Sequence, residues 1–394
     1  MTPAAVVTDF DPLDPAAWSA GAHEVFARLR AEAPVAWHDG ADMWLVTRHA
    51  DVMAMSRDPA TFKSSGGVIP TDRTRALSVA DSIIYLDPPE HSRHRKLVSP
   101  AFTPRRITAL EPMIRAQARA LLDEVPPGAP VDAVAALAEP LPLLVIAEML
   151  GVPGEDRDRF KVWSDATIAA VNDFDEAGLA HAFELWEYFR AVLEARRDEP
   201  RDDLLSVLVT AEVDEEPLKT DELLGFCMTL LVAGNETTRN LISGGLRALA
   251  DESAQLAALV ADPAALPRAI EEMLRWVTPV MCFARTATRD IELGGQAVAE
   301  GDYLLMVYPS ANRDEDVFGP TAGRFDITRD PNPHVGFGFG EHFCLGAALA
   351  RLEARVLFEE LLGRFGSVTL AGEPERLPSI LMNSLVTLPV EFGA

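Results

Sequence analysis

The segment from Asp221 to Ala250 reads as one helix of about 30 residues, with apolar residues recurring at three- and four-residue spacing. At ~1.5 Å per residue such a helix spans ~45 Å, the width of a whole domain. It must cross the core, and the other elements have to be arranged around it. Most of these are helical as well. Stretches rich in Ala, Leu, Glu and Arg that stop at Pro or Gly predict helices at about 22–33, from Pro89 to 99, and at 104–124, 139–151, 155–169, 174–199, 201–210, 251–261, 264–277 and 345–363. Strands are few: Val35 to His38 and Met43 to Thr47 form a pair around Asp39-Gly40, and β-like segments follow near 283–293, 303–307 and in the C-terminal tail. Residues 64–87 dissolve into Gly, Pro, Ser and scattered charge, a flexible loop too long to be idle in a compact domain. A second irregular stretch covers 309–340. With no internal repeat and no low-complexity linker, the expectation is a single domain over 1–394, mainly α with small β-sheets, an α+β class.

Composition narrows the partners. The 394 residues carry 35 Lys+Arg against 61 Asp+Glu, a formal net charge of -26, and 48% are hydrophobic. That apolar fraction excludes a disordered tail or fibre, and the acidic balance repels nucleic acid and anionic membranes. Only four of the 35 basic residues are Lys, a bias that fits an Arg-rich bacterial proteome. The three cysteines, Cys227, Cys282 and Cys344, have no CxxC spacing, so neither a disulfide framework nor a zinc ribbon is expected, in keeping with a reducing cytoplasm. Met1 to Trp18 is acidic and Pro-rich, unlike a signal peptide. Leu223 to Gly234, the longest strongly apolar stretch, has 12 residues against the ~20 of a membrane helix. A soluble cytoplasmic protein is expected.

The chemistry concentrates in Phe337-Gly338-Phe339-Gly340-Glu341-His342-Phe343-Cys344-Leu345-Gly346, a glycine-rich turn that delivers one cysteine to the start of a helix. Glycines allow backbone amides to approach a ligand closely. A cysteine at a helix N-terminus is expected to have a lowered pKa, because the dipole and free amides stabilise thiolate. Such a thiolate serves as nucleophile or as metal ligand. Three further clusters stand out: Ala233-Gly234-Asn235-Glu236-Thr237-Thr238 inside the long helix, Glu272-Met273-Leu274-Arg275 on one helical face, and His91-Ser92-Arg93-His94-Arg95.

The cysteine run resembles the haem-ligating loop of the cytochrome P450 family, in which Phe, two glycines and Cys recur at the places held by Phe337, Gly340, Cys344 and Gly346. The three other clusters stand in the family's order. The resemblance implies a P450 fold forming one haem domain, with haem b (iron protoporphyrin IX) as cofactor and Cys344 as the thiolate ligand of its iron. Residues 337–346 would be the haem-ligand loop, flanking the macrocycle with Phe337, Gly338 and Gly346, and 221–250 the oxygen-binding helix, with Ala233 beside the haem. It further implies that Gly234 leaves room for O2, that Thr237 and Glu236 supply protons, and that His91, Arg95, Arg285 and His342 hold the two propionates. Glu272 and Arg275 match a structural Glu-x-x-Arg motif, and Arg324 stands as the third member of its network. The 64–87 loop becomes a substrate-access loop.

The implied activity is a monooxygenase that uses O2 to hydroxylate a small molecule. By the same analogy the pocket is lined by Val68, Ile69, Ile83, Ile84, Leu230, Val280, Met281, Phe283, Leu381 and Met382. None is charged, which favours a neutral lipophilic substrate: a steroid or terpenoid, a fatty acid, or a macrolide-like natural product. No flavin or iron–sulfur module is fused, so electrons are expected from a separate ferredoxin and its NAD(P)H-dependent reductase. The ferredoxin would dock on Arg93, Arg95, Lys96, Arg105, Arg106, Arg351 and Arg355. Two alternatives stay open: a peroxide-driven or rearranging haem-thiolate enzyme, against which the Glu236-Thr237 pair argues, and a non-catalytic haem sensor.

Overall fold

The computed structural model describes residues 6–19, 21–73, 82–157, 159–163, 166, 176–201, 203–210, 212–213 and 216–393. Residues 74–81 of the expected access loop lie outside the described residues, as do 167–169 and 174–175 of two expected helices.

The long helix is Thr220–Asp251, opened by a cap in which the Lys219 amide donates to the Glu222 carboxylate (2.7 Å). Eighteen of its 32 residues are buried, so it is enclosed by neighbours rather than laid on a surface. It packs against Pro140–Met149, Leu266–Val277 and the strand Ser367–Leu370. Helix Ala347–Leu362 packs against Leu266–Val277, Glu111–Asp123 and the central helix itself. The expected helix 104–124 is two helices, Pro104–Ala109 and Glu111–Asp123, because Pro112 in the second helix's first turn has no N–H to continue the first. The large core, from Leu97 to Phe392, surrounds the central helix.

A smaller lobe is built on a five-stranded sheet in the order Val35–His38, Met43–Val46, Tyr303–Val307, Cys282–Ala287, Phe62–Lys63. The first pair is the expected hairpin, with Val35 opposite Val46. Tyr303–Val307 joins it in parallel, with Leu304 beside Trp44, a pairing that no local pattern announces. The C-terminal tail folds back as Pro389–Gly393 between Ser367–Leu370 and Pro130–Asp132. The cysteine loop lies where the lobes meet, with the central helix across the gap.

Candidate active site

The loop that presents Cys344 is fixed by its own backbone. The Cys344 amide donates to the Phe337 carbonyl (2.9 Å), Phe343 to Gly340 (3.1 Å) and Gly338 to Val335 (2.9 Å). Gly340 has φ +73°, and a Cβ there would collide with the carbonyl oxygen of Ser56, so this position takes glycine on both counts. Arg351 lies over the Phe337 ring at 4.5 Å. Burial pushes the Cys344 thiol up from its ordinary value, against the Gly346 amide and the charges of Arg95 and Arg351. The expected depression does not hold for the free thiol, because the helix begins only at Ala347 and a single amide reaches the sulfur. Coordination to a metal deprotonates a thiol outright, so the ligand chemistry remains open to Cys344.

Around the same cavity stand His91, Arg95, Arg285 and His342. His91 and His342 have ring centroids 4.2 Å apart, and His342 Nε2 is 3.1 Å from Ser64 Oγ. Arg95 donates to the Phe343 carbonyl (2.7 Å) and Arg285, only 8% exposed, to its neighbour's Ala284 carbonyl (2.7 Å). Burial first, and then mutual repulsion, lowers His91, and takes His342 to about 3; burial also lowers both arginines. Among the described residues no carboxylate is ion-paired with any of the four. Asp87, whose charge reaches His91 and Arg285, already accepts the amides of Ser64 and Ser65 (2.7 and 3.0 Å). Four cationic or protonatable groups with no matching acid leave the rim ready for an external anion, and the two propionates of a haem fit it.

Across the cavity the central helix presents Leu230, Ala233, Gly234, Thr237 and Thr238. Thr237 Oγ1 donates to the Ala233 carbonyl (2.6 Å), which leaves the oxygen's lone pairs toward the cavity. A Cβ on Gly234 would meet Ile146 Cδ1 at 2.7 Å, so glycine is needed where the central helix lies against Pro140–Met149, at a point where both residues line the cavity. Glu236 does not share the cavity with Thr237, since successive helical residues point about 100° apart. Its carboxylate accepts from Ser384 Oγ (2.7 Å) and pairs with Arg239 (3.3 Å), tying the helix to the C-terminal segment.

The cavity encloses about 1540 Å³ between protein atoms, part of it open to solvent. Of the expected pocket residues, Val68, Ile83, Ile84, Leu230, Val280 and Phe283 line it, and Ile69, Met281, Leu381 and Met382 do not. Met281 follows Val280 in extended backbone and so faces the opposite way, into the sheet core with Leu305 and Val307, where Leu381 also packs. Met382 meets Val280 only through the backbone bridge, and Ile69 is engaged through its carbonyl by Tyr303 Oη (2.8 Å). With Leu241 at the far end, Phe226 and Thr229 complete the central helix's contribution. They continue the 230, 233, 237 spacing toward the N-terminus, a signal the sequence does carry. Glu353, 1% exposed, also reaches the cavity; burial pushes its carboxyl up to about 8, and Oε2 has no hydrogen-bond partner among the described residues.

Behind the cysteine loop, Glu272 and Arg275, both fully buried, form a two-point ion pair (2.6 and 2.7 Å). Arg275 then donates to the carbonyls of Asn312, Ala322 and Arg324 (2.8, 2.8 and 2.7 Å), which pins the irregular stretch. The third side chain is Arg329, not Arg324: Arg329 Nε bonds Glu272 (3.1 Å), whereas the Arg324 side chain is exposed and joins only through its carbonyl. The basic patch is likewise smaller than its sequence. Arg93 pairs with Glu222 (3.2 Å), Arg351 with Glu271 (2.6 Å), and Arg355 with Glu111 (2.6 Å), while Arg95 turns toward the cavity. Lys96, Arg105 and Arg106 remain exposed, with no ion pair among the described residues.

Fold and site together define a mainly helical protein in which a cysteine loop faces the longest described helix across a cavity rimmed by cationic and protonatable side chains. Residues 263–393 match the family model for cytochrome P450. A putative cytochrome P450 126 of Mycobacterium tuberculosis is 44% identical over 93% of this chain and 94% of its own length. A methyl-branched lipid omega-hydroxylase of the same organism is 41% identical, covering 93% and 90%. The solved structure of cytochrome P450 CYP268A2 of Mycobacterium marinum in complex with pseudoionone superposes with a TM-score of 0.87 at 40% identity, over 98% of this chain and all of that one. The chain belongs to the cytochrome P450 family, and with it to the haem-dependent monooxygenases. No helix among the described residues is long and apolar enough to cross a membrane.

Proposed function

We propose that the protein hydroxylates a neutral lipophilic small molecule, with O2 and with electrons from an external ferredoxin and its NAD(P)H-dependent reductase. The observation that carries this reading is the division of the cavity: ionisable side chains other than Cys344 are confined to His91, Arg95, Arg285, Tyr308, His342 and Glu353, while Val68, Ile83, Ile84, Phe226, Leu230, Val280 and Phe283 form an apolar wall. A charged ligand has no partner on that wall. The names of the two relatives, a methyl-branched lipid hydroxylase and a pseudoionone complex, support a lipophile.

When bound, haem supplies the iron at which O2 is reduced. The chain's own residues do the rest. Cys344 would ligate the iron, Arg95 and Arg285 would neutralise the propionates with His91 and His342 as further hydrogen-bond donors, and Phe337, Gly338, Gly346 and Ala233 would border the macrocycle. Thr237 Oγ1, whose hydrogen is given to the Ala233 carbonyl, accepts a hydrogen bond at the reaction locus, and it passes a proton there only by turning that hydrogen away from the carbonyl and taking another from the group that donates to it. Glu236 acts from behind the helix, where Ser384 and Arg239 set its position. The apolar wall keeps water from the substrate carbon. Lys96, Arg105 and Arg106 steer an acidic ferredoxin to the cysteine side.

The test is a panel of neutral and charged lipophiles, titrated for displacement of iron-bound water and then turned over with NADH and a surrogate ferredoxin system. Neutral ligands should bind, and at least one should be hydroxylated. Preference for charged ligands, or turnover with peroxide alone, would replace the reading.

A further inference from the structure

The apolar wall contains one hydroxyl pair. Thr229, on the central helix, lines the cavity, and its Oγ1 lies 2.9 Å from the Oγ of Ser82, which is buried just behind it. Thr229 Oγ1 also donates to the Gly225 carbonyl (2.7 Å), the preceding turn of its own helix. A hydroxyl has one hydrogen and two lone pairs. With the Thr229 hydrogen given to Gly225, Ser82 must be the donor in the pair, and Thr229 Oγ1 keeps one free lone pair. The group is thus an acceptor with no hydrogen to offer. Thr229, Ala233 and Thr237 follow one another at four-residue spacing on the cavity side, and the eight residues between the two threonines correspond to ~12 Å along the axis.

From this geometry we infer that Thr229, held by Ser82, is the substrate-orienting residue, selecting a lipophile with a hydroxyl group and placing a carbon about 12 Å away for oxidation near Thr237. This rests on the monooxygenase reading above and narrows its substrate class from neutral lipophiles to lipophilic alcohols. A ketone of the same shape would set two acceptors against each other and gain nothing from the pair. Ser82 has a second consequence. It precedes Ile83 and Ile84 in the wall, so its bond to Thr229 ties that segment to the central helix.

The test uses the haem-loaded protein with dodecanol, the methyl ketone of equal length and dodecane as probes, with affinity measured by calorimetry in the absence of an electron donor and products identified in a separate turnover with NADH and the surrogate ferredoxin system. The alcohol should bind about fivefold tighter than the ketone, the worth of roughly one hydrogen bond. Thr229→Val should bring the two within twofold, and Thr229→Ser, which keeps the hydroxyl, should restore the preference. Equal binding of alcohol and ketone by the parent protein, failure of the whole series to bind, or a preference that survives Thr229→Val would each overturn the assignment. Alcohol preference without any hydroxylated product would leave the anchor standing and count against the monooxygenase reading alone. Where product forms, it should carry the new oxygen far along the chain from the hydroxyl, and oxidation beside the hydroxyl would contradict the placement.

Discussion

Replacing Arg329 by Ala should destabilise the protein far more than replacing Arg324. Arg329 is 8% exposed and donates to Glu272 Oε2 (3.1 Å), the Phe318 carbonyl (3.1 Å), Thr321 Oγ1 (3.3 Å), the Thr321 carbonyl (2.9 Å) and the Arg324 carbonyl (3.2 Å). Removing it leaves a fully buried carboxylate with one cation fewer. Several acceptors in the stretch before the cysteine loop also lose their donor. Loss of one member of a buried ion network costs about 3–5 kcal/mol, the orphaned acceptors accounting for part of it. Arg324→Ala keeps the carbonyl that accepts from Arg275 (2.7 Å) and removes only an exposed side chain, for about 0.5 kcal/mol or less. Urea unfolding midpoints of the two variants decide the matter, with haem content as a second readout because the pinned stretch leads into the Cys344 loop. Equal losses, or a larger loss for Arg324→Ala, would refute the assignment of the third network position.

Further outcomes follow from the same geometry. Glu353 titrates near 4.5 in an unfolded chain and near 8 when buried, so between those values the native state holds a proton that the unfolded state lacks. Stability attributable to this group is unaffected below that window and falls by about 1.4 kcal/mol per pH unit through it. Glu353→Gln removes the effect, so its unfolding midpoint should gain on the parent from pH 5 to pH 8; a constant difference would show that the carboxyl is not protonated in the folded protein. Thr237→Ala should lower the product formed per NADH by about 10²-fold, the scale of a lost proton-transfer group, with hydrogen peroxide appearing instead. Unchanged coupling would remove Thr237 from proton delivery. Reversing Lys96, Arg105 and Arg106 to Glu should slow reduction by ferredoxin and flatten its salt dependence, whereas an unaltered rate would place the docking surface elsewhere.

What the sequence discloses is local. The helix expected over 221–250 is Thr220–Asp251, because hydrophobic periodicity and a polar cap are written in consecutive residues. The cysteine loop is equally readable, since its glycines answer to backbone needs inside ten residues. What escapes is the information carried by partners distant in the chain. Arg324 and Arg329 sit in one irregular stretch, and only its folded path shows that the second reaches Glu272. Glu236 is drawn from the cavity by Ser384, 148 residues away. Met281 fails as a pocket residue through strand alternation, a rule the sequence could support once the extended register of 280–283 is known. Net charge gave a similar lesson: the run of bases from Arg93 to Arg106 is intact in sequence, but Glu222 removes Arg93 from it, and Glu271 and Glu111 neutralise the two arginines expected to extend it.

The central claim is that Cys344 supplies the thiolate ligand of a haem held against the central helix. The most direct measurement is the absorption spectrum of the reduced, CO-treated protein, compared with that of Cys344→His. The parent should show the strongly red-shifted Soret band that thiolate ligation gives, and the variant should retain haem on its four rim donors with the band moved to the position of a nitrogen-ligated haem. A parent spectrum without the red shift, or a red shift that survives the substitution, would contradict the account.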